Sequence, residues 1–170
     1  KEANFKILIG ASVWPVDGAA VLLWATGRAA YGRLSELLTL GRRSAPKGEC
    51  RLTFDDVARH ADGLLAGVLL GRVRRAGGVS PLILKHEGNL EARAPRSPIH
   101  LLARYRELFD DRCYAVAELH RGAEDRRWLH QMRRVADEAG VPLVAANDVH
   151  YHARLRRPLH DVLTAVRHGC

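Results

Sequence analysis

Short apolar runs alternate along this chain with amphipathic stretches, and this alternation limits the folds that the chain can adopt. Runs rich in Val, Ile and Leu predict buried strands. They lie at residues 5–9, 20–24, 64–70, 82–84, 113–119 and 142–146. Because helical patterns separate several of them, the sequence predicts βαβ units and an α/β fold with mainly parallel strands, in a sheet or a barrel.

Two of the intervening stretches have the apolar spacing of long helices. In residues 123–139, apolar side chains recur at helical spacing with charged side chains opposite, and Gly140 and Pro142 supply the stop. A similar pattern predicts a helix over residues 28–40 that ends at Gly41.

Shorter helices are predicted from their first residues. Thr53 and Asp56 have the spacing of a capping box before a helix that runs to Arg59. Pro98 and Pro158 each suit the first turn of a further helix. Loops are predicted at residues 42–51, 72–80 and 87–97.

Composition narrows the class of protein. A chain of 170 residues suits one domain, and it has no apolar run of the roughly 20 residues that a membrane span needs. The opening residues lack the layout of a secretory signal and suggest a cut within a larger protein. Three cysteines without a C-x-x-C pair indicate neither a disulfide framework nor a zinc finger, so we expect a cytoplasmic protein.

The formal net charge is +8, and arginine supplies most of the positive charge. A basic balance favours contact with a polyanion such as DNA, because Lys and Arg neutralise phosphates. Solvated basic faces in an arginine-rich protein would give the same balance. Both interpretations stay open, since the sequence has no dense basic cluster interleaved with aromatic residues.

The most informative stretch is the hydrophobic run at residues 142–146, which continues into the pattern D-x-H-x-H. In an extended chain, side chains two and four positions apart share one face, so Asp148, His150 and His152 can converge. Carboxylate and imidazole groups suit borderline divalent metals such as zinc or manganese.

A second run, at residues 113–119, has Glu118 and His120 two positions apart at its end. If both strands are parallel neighbours in a barrel, the two polar pairs emerge at the carboxyl-terminal rim, where α/β barrels build active sites. Each pair alone fits a capping or loop hydrogen-bond set better than a metal site, and the two together leave both interpretations open. Among the other histidines, His60 is expected at a helix end, where it complements the helix dipole. The remaining ones are expected to be solvated on loops or helix faces: His86, His100, His130, His160 and His168.

Several stretches of the chain match motifs of one known family, in the family's order. They are CYAVAELHRG at residues 113–122, GVPLVAANDVHYH at 140–152, RRPLHDVLTAVR at 156–167, the early strand at 6–10, GRAAYGRLSELLTLGR at 27–42 and PKGECRLT at 46–53. They resemble the polymerase-and-histidinol-phosphatase (PHP) domain that opens bacterial C-family error-prone DNA polymerases, which are relatives of the replicative polymerase III alpha subunit. The resemblance covers most of the chain and is weakest across residues 72–96.

The resemblance implies a partial, distorted (β/α) barrel of the PHP type with a metal cluster at its rim. Asp148 and His150 fall on the family's last D-x-H motif, and Glu118 falls on the acidic position of the preceding motif. His120 is then a substitute or neighbour of that acid, and His152 is a candidate from spacing alone. Ser12 stands where the family often has Glu, so a bridging carboxylate is missing. The first H-x-H motif is expected before the first residue of this chain.

The resemblance also implies the larger protein. Residues 1–155 would be a partial PHP domain, and residues 156–170 would be the start of the junction toward the polymerase core. The parent would be a DNA-directed DNA polymerase for damage-tolerant synthesis, with magnesium in a palm domain outside this chain, so the fragment itself would not polymerise. The expected partners are DNA, deoxynucleoside triphosphates, the polymerase core of the same chain, a sliding clamp and damage-response accessory proteins.

Two alternatives remain. A stand-alone, metal-dependent PHP phosphoesterase of the histidinol-phosphatase kind would have a complete histidine set upstream and a stop codon soon after Arg167. The junction-like helix that follows Pro158 argues against this alternative. A non-catalytic scaffold barrel for protein or DNA contact is favoured by Ser12.

Overall fold

The computed structural model describes residues 7–70, 74–75, 78–79, 97–119, 122–147 and 149–169. Its strands are β1 (Gly10–Val13), β2 (Val21–Ala25), β3 (Leu64–Leu69), β4 (Arg74–Arg75), β5 (Gly78–Val79), β6 (Cys113–Glu118) and β7 (Leu143–Ala146). Its helices are α1 (Arg28–Arg43), α2 (Phe54–Arg59), α3 (Pro98–Phe109), α4 (Asp125–Ala139) and α5 (Arg157–His168). Short 3₁₀ turns at Asp110–Arg112 and Arg154–Arg156 lead into β6 and α5.

Five of the strands form one open sheet in the order β1-β2-β3-β6-β7, and β4 pairs with β5 in a separate ladder. The β3–β6 and β6–β7 pairs are parallel, whereas the β1–β2 and β2–β3 pairs are antiparallel. The α/β class is therefore confirmed, but the prediction of mainly parallel strands is wrong for this sheet. The parallel pairs have α3 and α4 as the crossovers that they require, and β1 and β2 are joined by a short loop. The β2–β3 pair is antiparallel although α1 and α2 lie between its strands, so the connection alone does not fix the direction of this pair.

The first strand lies later in the chain than its hydrophobic run predicted. The strand begins at Gly10, and residues 7–9 lie outside it, with Ile7 75% and Leu8 80% exposed. In β1 it is Ala11 and Val13 that face the core, and Ile9 adds one further bond by accepting the backbone N–H of Ala25 at 2.9 Å. The two remaining positions of the predicted run lie outside the described residues.

Helix α1 does not end at Gly41, contrary to the prediction, but continues to Arg43. Gly41 is buried in the last turn, and its carbonyl oxygen accepts the backbone N–H of Arg51 at 2.9 Å. A Cβ at this position would lie 2.6 Å from Cys50 Sγ and 2.7 Å from Leu52 Cγ. This glycine therefore serves the close approach of a neighbouring segment rather than helix termination.

The remaining elements agree with the sequence to within two residues where the structure describes them. The capping box of α2 is confirmed, because Thr53 Oγ1 accepts the Asp56 backbone N–H and Asp56 Oδ2 accepts the Thr53 backbone N–H. The predicted loop at residues 72–80 contains β4 and β5, and the predicted strand at residues 82–84 lies outside the described part. None of the helices described combines the length and the apolar character needed to cross a bilayer.

The core lies on one face of the sheet, beneath helices α1 to α4. Alternate strand residues such as Leu23, Ala66 and Ala115 join it, and Leu102 and Phe109 of α3 complete its centre. The opposite face has its own apolar centre at Gly67, where a Cβ would lie 2.8 Å from both Trp24 and Val116. Since side chains alternate along a strand, this second face also receives Glu118, two residues after Val116.

Candidate functional site

The two strands that carry the predicted site residues are neighbours and end together. Strands β6 and β7 are parallel, and Glu118, the last residue of β6, is the register partner of Ala146, the last residue of β7. The segment that contains His150 and His152 follows β7 directly. The carboxyl ends of both strands therefore lie at one edge of the sheet, which is the arrangement that the predicted site requires.

Glu118 has a defined orientation at this edge. It shares the side of β6 with Tyr114 and Val116, opposite the side on which Cys113 and Ala115 join the core. Its side chain is half-buried, so the carboxylate lies where the second face of the sheet meets the edge. The side chain therefore lies outside the helix-covered core, at the edge where β6 ends.

The described histidines of the D-x-H-x-H segment differ in their surroundings. The ring of His150 lies 4.9 Å from the ring of His160 in α5, with an angle of 47° between the planes. Tyr151 lies 5.9 Å from the same His160 ring. His150 and His152 are both exposed, while Asp148 and His120 lie outside the described residues.

His160 lies on a helix face, as expected, with 36% of its side chain exposed, and it also contacts the His150 ring. It is half-buried against His150, although most of α5 is exposed. Pro158 starts a helix shortly after the two histidines and so places His160 in its first turn, but this spacing does not by itself predict the ring contact.

The donor set suits a divalent metal, but the described residues do not complete a site by themselves. Within the ranges that the structure covers, no group of three or more His, Cys, Asp and Glu side chains is arranged to hold a metal ion. Glu118 and His150 are a carboxylate and an imidazole at one sheet edge, which matches zinc or manganese chemistry. Their role as ligands stays a prediction, as do those of Asp148, His120 and His152.

Ser12, which stands where the resembled family often has Glu, lies in β1 at the far side of the sheet. It pairs with Leu22, and β2 and β3 separate its strand from β6. Through successive register partners it lies on the same face as Glu118, and its side chain is exposed. A carboxylate would be accessible there, and serine does not supply one.

Positive charge follows this edge closely in the sequence. Arg154 and Arg156 are exposed in the 3₁₀ turn between His152 and α5. Arg157 forms an ion pair with Asp161 at 3.6 Å, one turn along the helix. On α4, by contrast, Arg133 and Arg134 are partnered by acids at 3.9 and 3.6 Å. The turn before α5 is therefore better placed than α4 to meet an anionic ligand.

The chain is similar, over nearly its whole length, to proteins named error-prone DNA polymerase. It is 36% identical to the one from Rhodopirellula baltica over 99% of this chain and 14% of that protein. It is 41% identical to the one from Aromatoleum aromaticum over 95% of this chain and 14% of that protein. Error-prone DNA polymerase 1 of Agrobacterium fabrum is 35% identical over 97% of this chain and 13% of that protein.

This similarity covers nearly the whole of this chain but only a small part of each relative. The chain spans about a seventh of the length of the curated relatives it matches. No protein-family model matches the chain. What the comparisons establish is therefore homology to one segment of polymerases with this name.

Proposed function

We propose that this chain is part of the PHP domain of an error-prone DNA polymerase, with residues 1–155 in that domain and residues 156–170 in the junction toward the polymerase core. The observation that carries the proposal is the similarity of 95–100% of the chain, at 32–41% identity, to polymerases of this name. The parent protein would use DNA and deoxynucleoside triphosphates with magnesium, and a sliding clamp and damage-response proteins would assist it.

The sheet edge is proposed as a divalent metal site of this domain. Glu118, Asp148 and His150 would hold zinc or manganese, with His120 and His152 as further candidates. A bound metal would supply Lewis-acid activation of a phosphodiester. The exposed Arg154 and Arg156 would bind its phosphate oxygens, because guanidinium groups form charge-assisted hydrogen bonds to phosphate.

The second face of the open sheet is proposed as the inner wall of a distorted barrel. On this face Val116 is already buried, but Trp24 and Leu65 are half-buried and Val144 at the β7 edge is 37% exposed. Further strands from outside this chain would cover these side chains and complete the metal site above Glu118. These partly exposed apolar side chains support this arrangement, because a sheet needs cover on an apolar side.

A scaffold role without catalysis is the second candidate, and Ser12 favours it. A metal cluster that lacks one carboxylate binds its ions less tightly, while the barrel can still pack against a polymerase core. A stand-alone phosphoesterase finds less support, because the relatives named above are polymerases of which this chain spans 13–14%.

The function of the parent is tested by the gene and its product. We expect the reading frame around this sequence to encode a polymerase palm, and the purified product to extend a primer past a damaged template base in the presence of magnesium. A reading frame without a palm, or a product without primer extension, would remove the polymerase proposal.

The metal site is tested in the same full-length product by equilibrium dialysis with zinc and with manganese. The double change Asp148→Ala with His150→Ala should weaken metal binding at least ten-fold. Loss of a residue that only orients a ligand typically costs about ten- to a hundred-fold in affinity, and loss of the ligands themselves should cost no less. His130→Ala, on the exposed side of α4, is the matched control and should bind as the unmodified protein does. Stoichiometric binding that the double change leaves intact would exclude both residues, and no binding at all would leave the scaffold role.

A further inference from the structure

Helix α5 is largely exposed and has few contacts that hold it to the rest of the described structure. Its apolar residues are exposed, with Leu159 51%, Val162 59%, Leu163 60% and Val166 73% accessible. Of the α5 residues whose side chains the structure describes, His160 and Ala165 are the ones that are partly buried. His160 is therefore a point at which this exposed helix is attached to other elements.

The attachment is made to the segment that carries the candidate ligands. The rings of His160 and His150 are 4.9 Å apart, and those of His160 and Tyr151 are 5.9 Å apart. Both distances lie within the roughly 4.5–7 Å range of favourable ring contacts. The backbone of His160 is held in the first helical turn, where its carbonyl oxygen accepts the Thr164 hydroxyl at 2.8 Å. His150 is exposed overall, and one side of its ring thus faces a ring on a fixed helix.

We propose that His160 is a positioning residue, which holds the His150 imidazole at the sheet edge and thereby links metal binding there to the placement of α5. Neither the sequence pattern nor the resemblance assigns it such a role. The metal part of this inference rests on the proposed function, whereas the ring contact does not.

The consequence of the contact is preorganisation. A free imidazole on an exposed loop must lose rotational freedom when it binds a metal, and a ring already packed in place loses less. Partners that orient metal-ligating histidines typically contribute about ten- to a hundred-fold in affinity. We expect His160 to act near the lower end of that range, because its contact with His150 is a ring contact and not a charged hydrogen bond.

The same geometry suits a second role, which the experiment must separate. Two imidazole rings with centres 4.9 Å apart can also bind one metal ion together, since each nitrogen lies about 2 Å from a bound zinc. Phenylalanine keeps a planar ring at the position but has no nitrogen to bind a metal. His160→Phe therefore rescues a positioning role and cannot rescue a ligand role.

The test uses the full-length product with His160→Ala, His160→Phe and the control His130→Ala. In metal-free protein, the rate at which diethyl pyrocarbonate modifies His150 is measured by peptide mass spectrometry. In parallel, zinc and manganese affinities are measured by equilibrium dialysis. We expect His160→Ala to raise the modification rate of His150 several-fold and to weaken metal binding about ten-fold. His160→Phe should restore both values, and His130→Ala should change neither.

Three results would decide against parts of this inference. If His160→Ala leaves the modification rate of His150 unchanged, His160 does not position it. If His160→Phe protects His150 but binds metal as weakly as His160→Ala, the His160 nitrogen is a ligand and the positioning role is overturned. If the unmodified protein binds no metal while His160→Ala still uncovers His150, the positioning contact stands and the metal part of the proposed function falls.

Discussion

At the residue scale, Tyr105 shows how one polar group is accommodated in the core. Its side chain is fully buried, and its hydroxyl donates to the Ala19 carbonyl oxygen at 2.7 Å. The ring meets Phe54 edge-on, with centres 5.0 Å apart. Burial raises the pKa of Tyr105 well above its ordinary value, and the Asp17 carboxylate adds to the rise. The hydroxyl therefore stays protonated and remains a donor.

Removal of this hydroxyl should destabilise the protein. Tyr105→Phe would leave the carbonyl of Ala19 without its buried donor, and we expect the free energy of unfolding to fall by about 1–2 kcal/mol in urea titrations. Tyr31→Phe, on a ring that is 48% exposed in α1, should change it by less than about 0.5 kcal/mol. Equal effects of the two changes would show that the Tyr105 hydrogen bond contributes no net stability.

At the element scale, two glycines of α1 should respond in opposite ways to the same substitution. Gly41→Ala would place a methyl group within 3 Å of Cys50 and Leu52, and the overpacking should cost about 1–3 kcal/mol. Gly32→Ala meets nothing within 4 Å and should stabilise the helix by about 0.5–1 kcal/mol. Thermal unfolding of both variants checks the signs. A stabilising Gly41→Ala would mean that the segment after α1 can move away without loss.

The cap of α2 makes the stability of the folded state depend on pH. The hydrogen bond from the Thr53 backbone N–H holds the pKa of the Asp56 carboxyl below its usual 3.8, and the Thr53 hydroxyl and Arg59 act in the same direction. A carboxyl with a lowered pKa in the folded state stabilises that state above the unfolded pKa of about 3.9. This stabilisation is lost as the pH falls from that value through the folded pKa.

Comparison with Asp56→Asn should reveal this contribution. At neutral pH the unmodified protein should be more stable than the variant, and the difference should shrink as the pH falls below about 3.9. Urea unfolding at a series of pH values measures it. Asp55→Asn, on the neighbouring exposed residue, is the control and should show a smaller dependence. A stability difference that stays constant down to pH 2 would contradict the role of the ionised cap.

At the scale of the whole molecule, the sheet has an apolar centre on the face away from the core helices. Gly67 lies in the central strand β3, and Trp24 from β2 and Val116 from β6 meet over it. The antiparallel and the parallel parts of the sheet join at this strand. Packing over Gly67 therefore connects the half of the sheet that contains Ser12 with the half that contains Glu118.

A methyl group at this position should disturb the junction. Gly67→Ala would bring Cβ to 2.8 Å from Trp24 and Val116, and we expect a loss of about 1–2 kcal/mol together with a change in tryptophan fluorescence. Gly32→Ala is the comparison, because its surroundings are open: it should not lower the stability and should leave the tryptophan fluorescence unchanged. An unchanged fluorescence spectrum and stability would show that Trp24 can swing aside at no cost.

How far the sequence predicts the fold depends on whether a signal is local. The cap at Thr53, the start of α3 at Pro98 and the end of α4 at Gly140 are confirmed, because each is decided by backbone chemistry within a few residues. The end of α1 at Gly41 is predicted wrongly, because this glycine is required by the close approach of Cys50 and Leu52 and not by the end of its own helix. The antiparallel direction of the β2–β3 pair is likewise not predicted, because β3 follows β2 only after α1 and α2.

The same distinction between local and long-range signals applies to the candidate site. The sequence alone determined which residue types are present, and the alternation that placed Glu118 at a strand end is local. Only the tertiary structure decided that this end lies beside the end of β7, and that His160 turns onto His150, because neither contact follows from spacing along the chain. Local backbone preferences act over a few residues, whereas a site forms where elements that are distant in the sequence pack against each other.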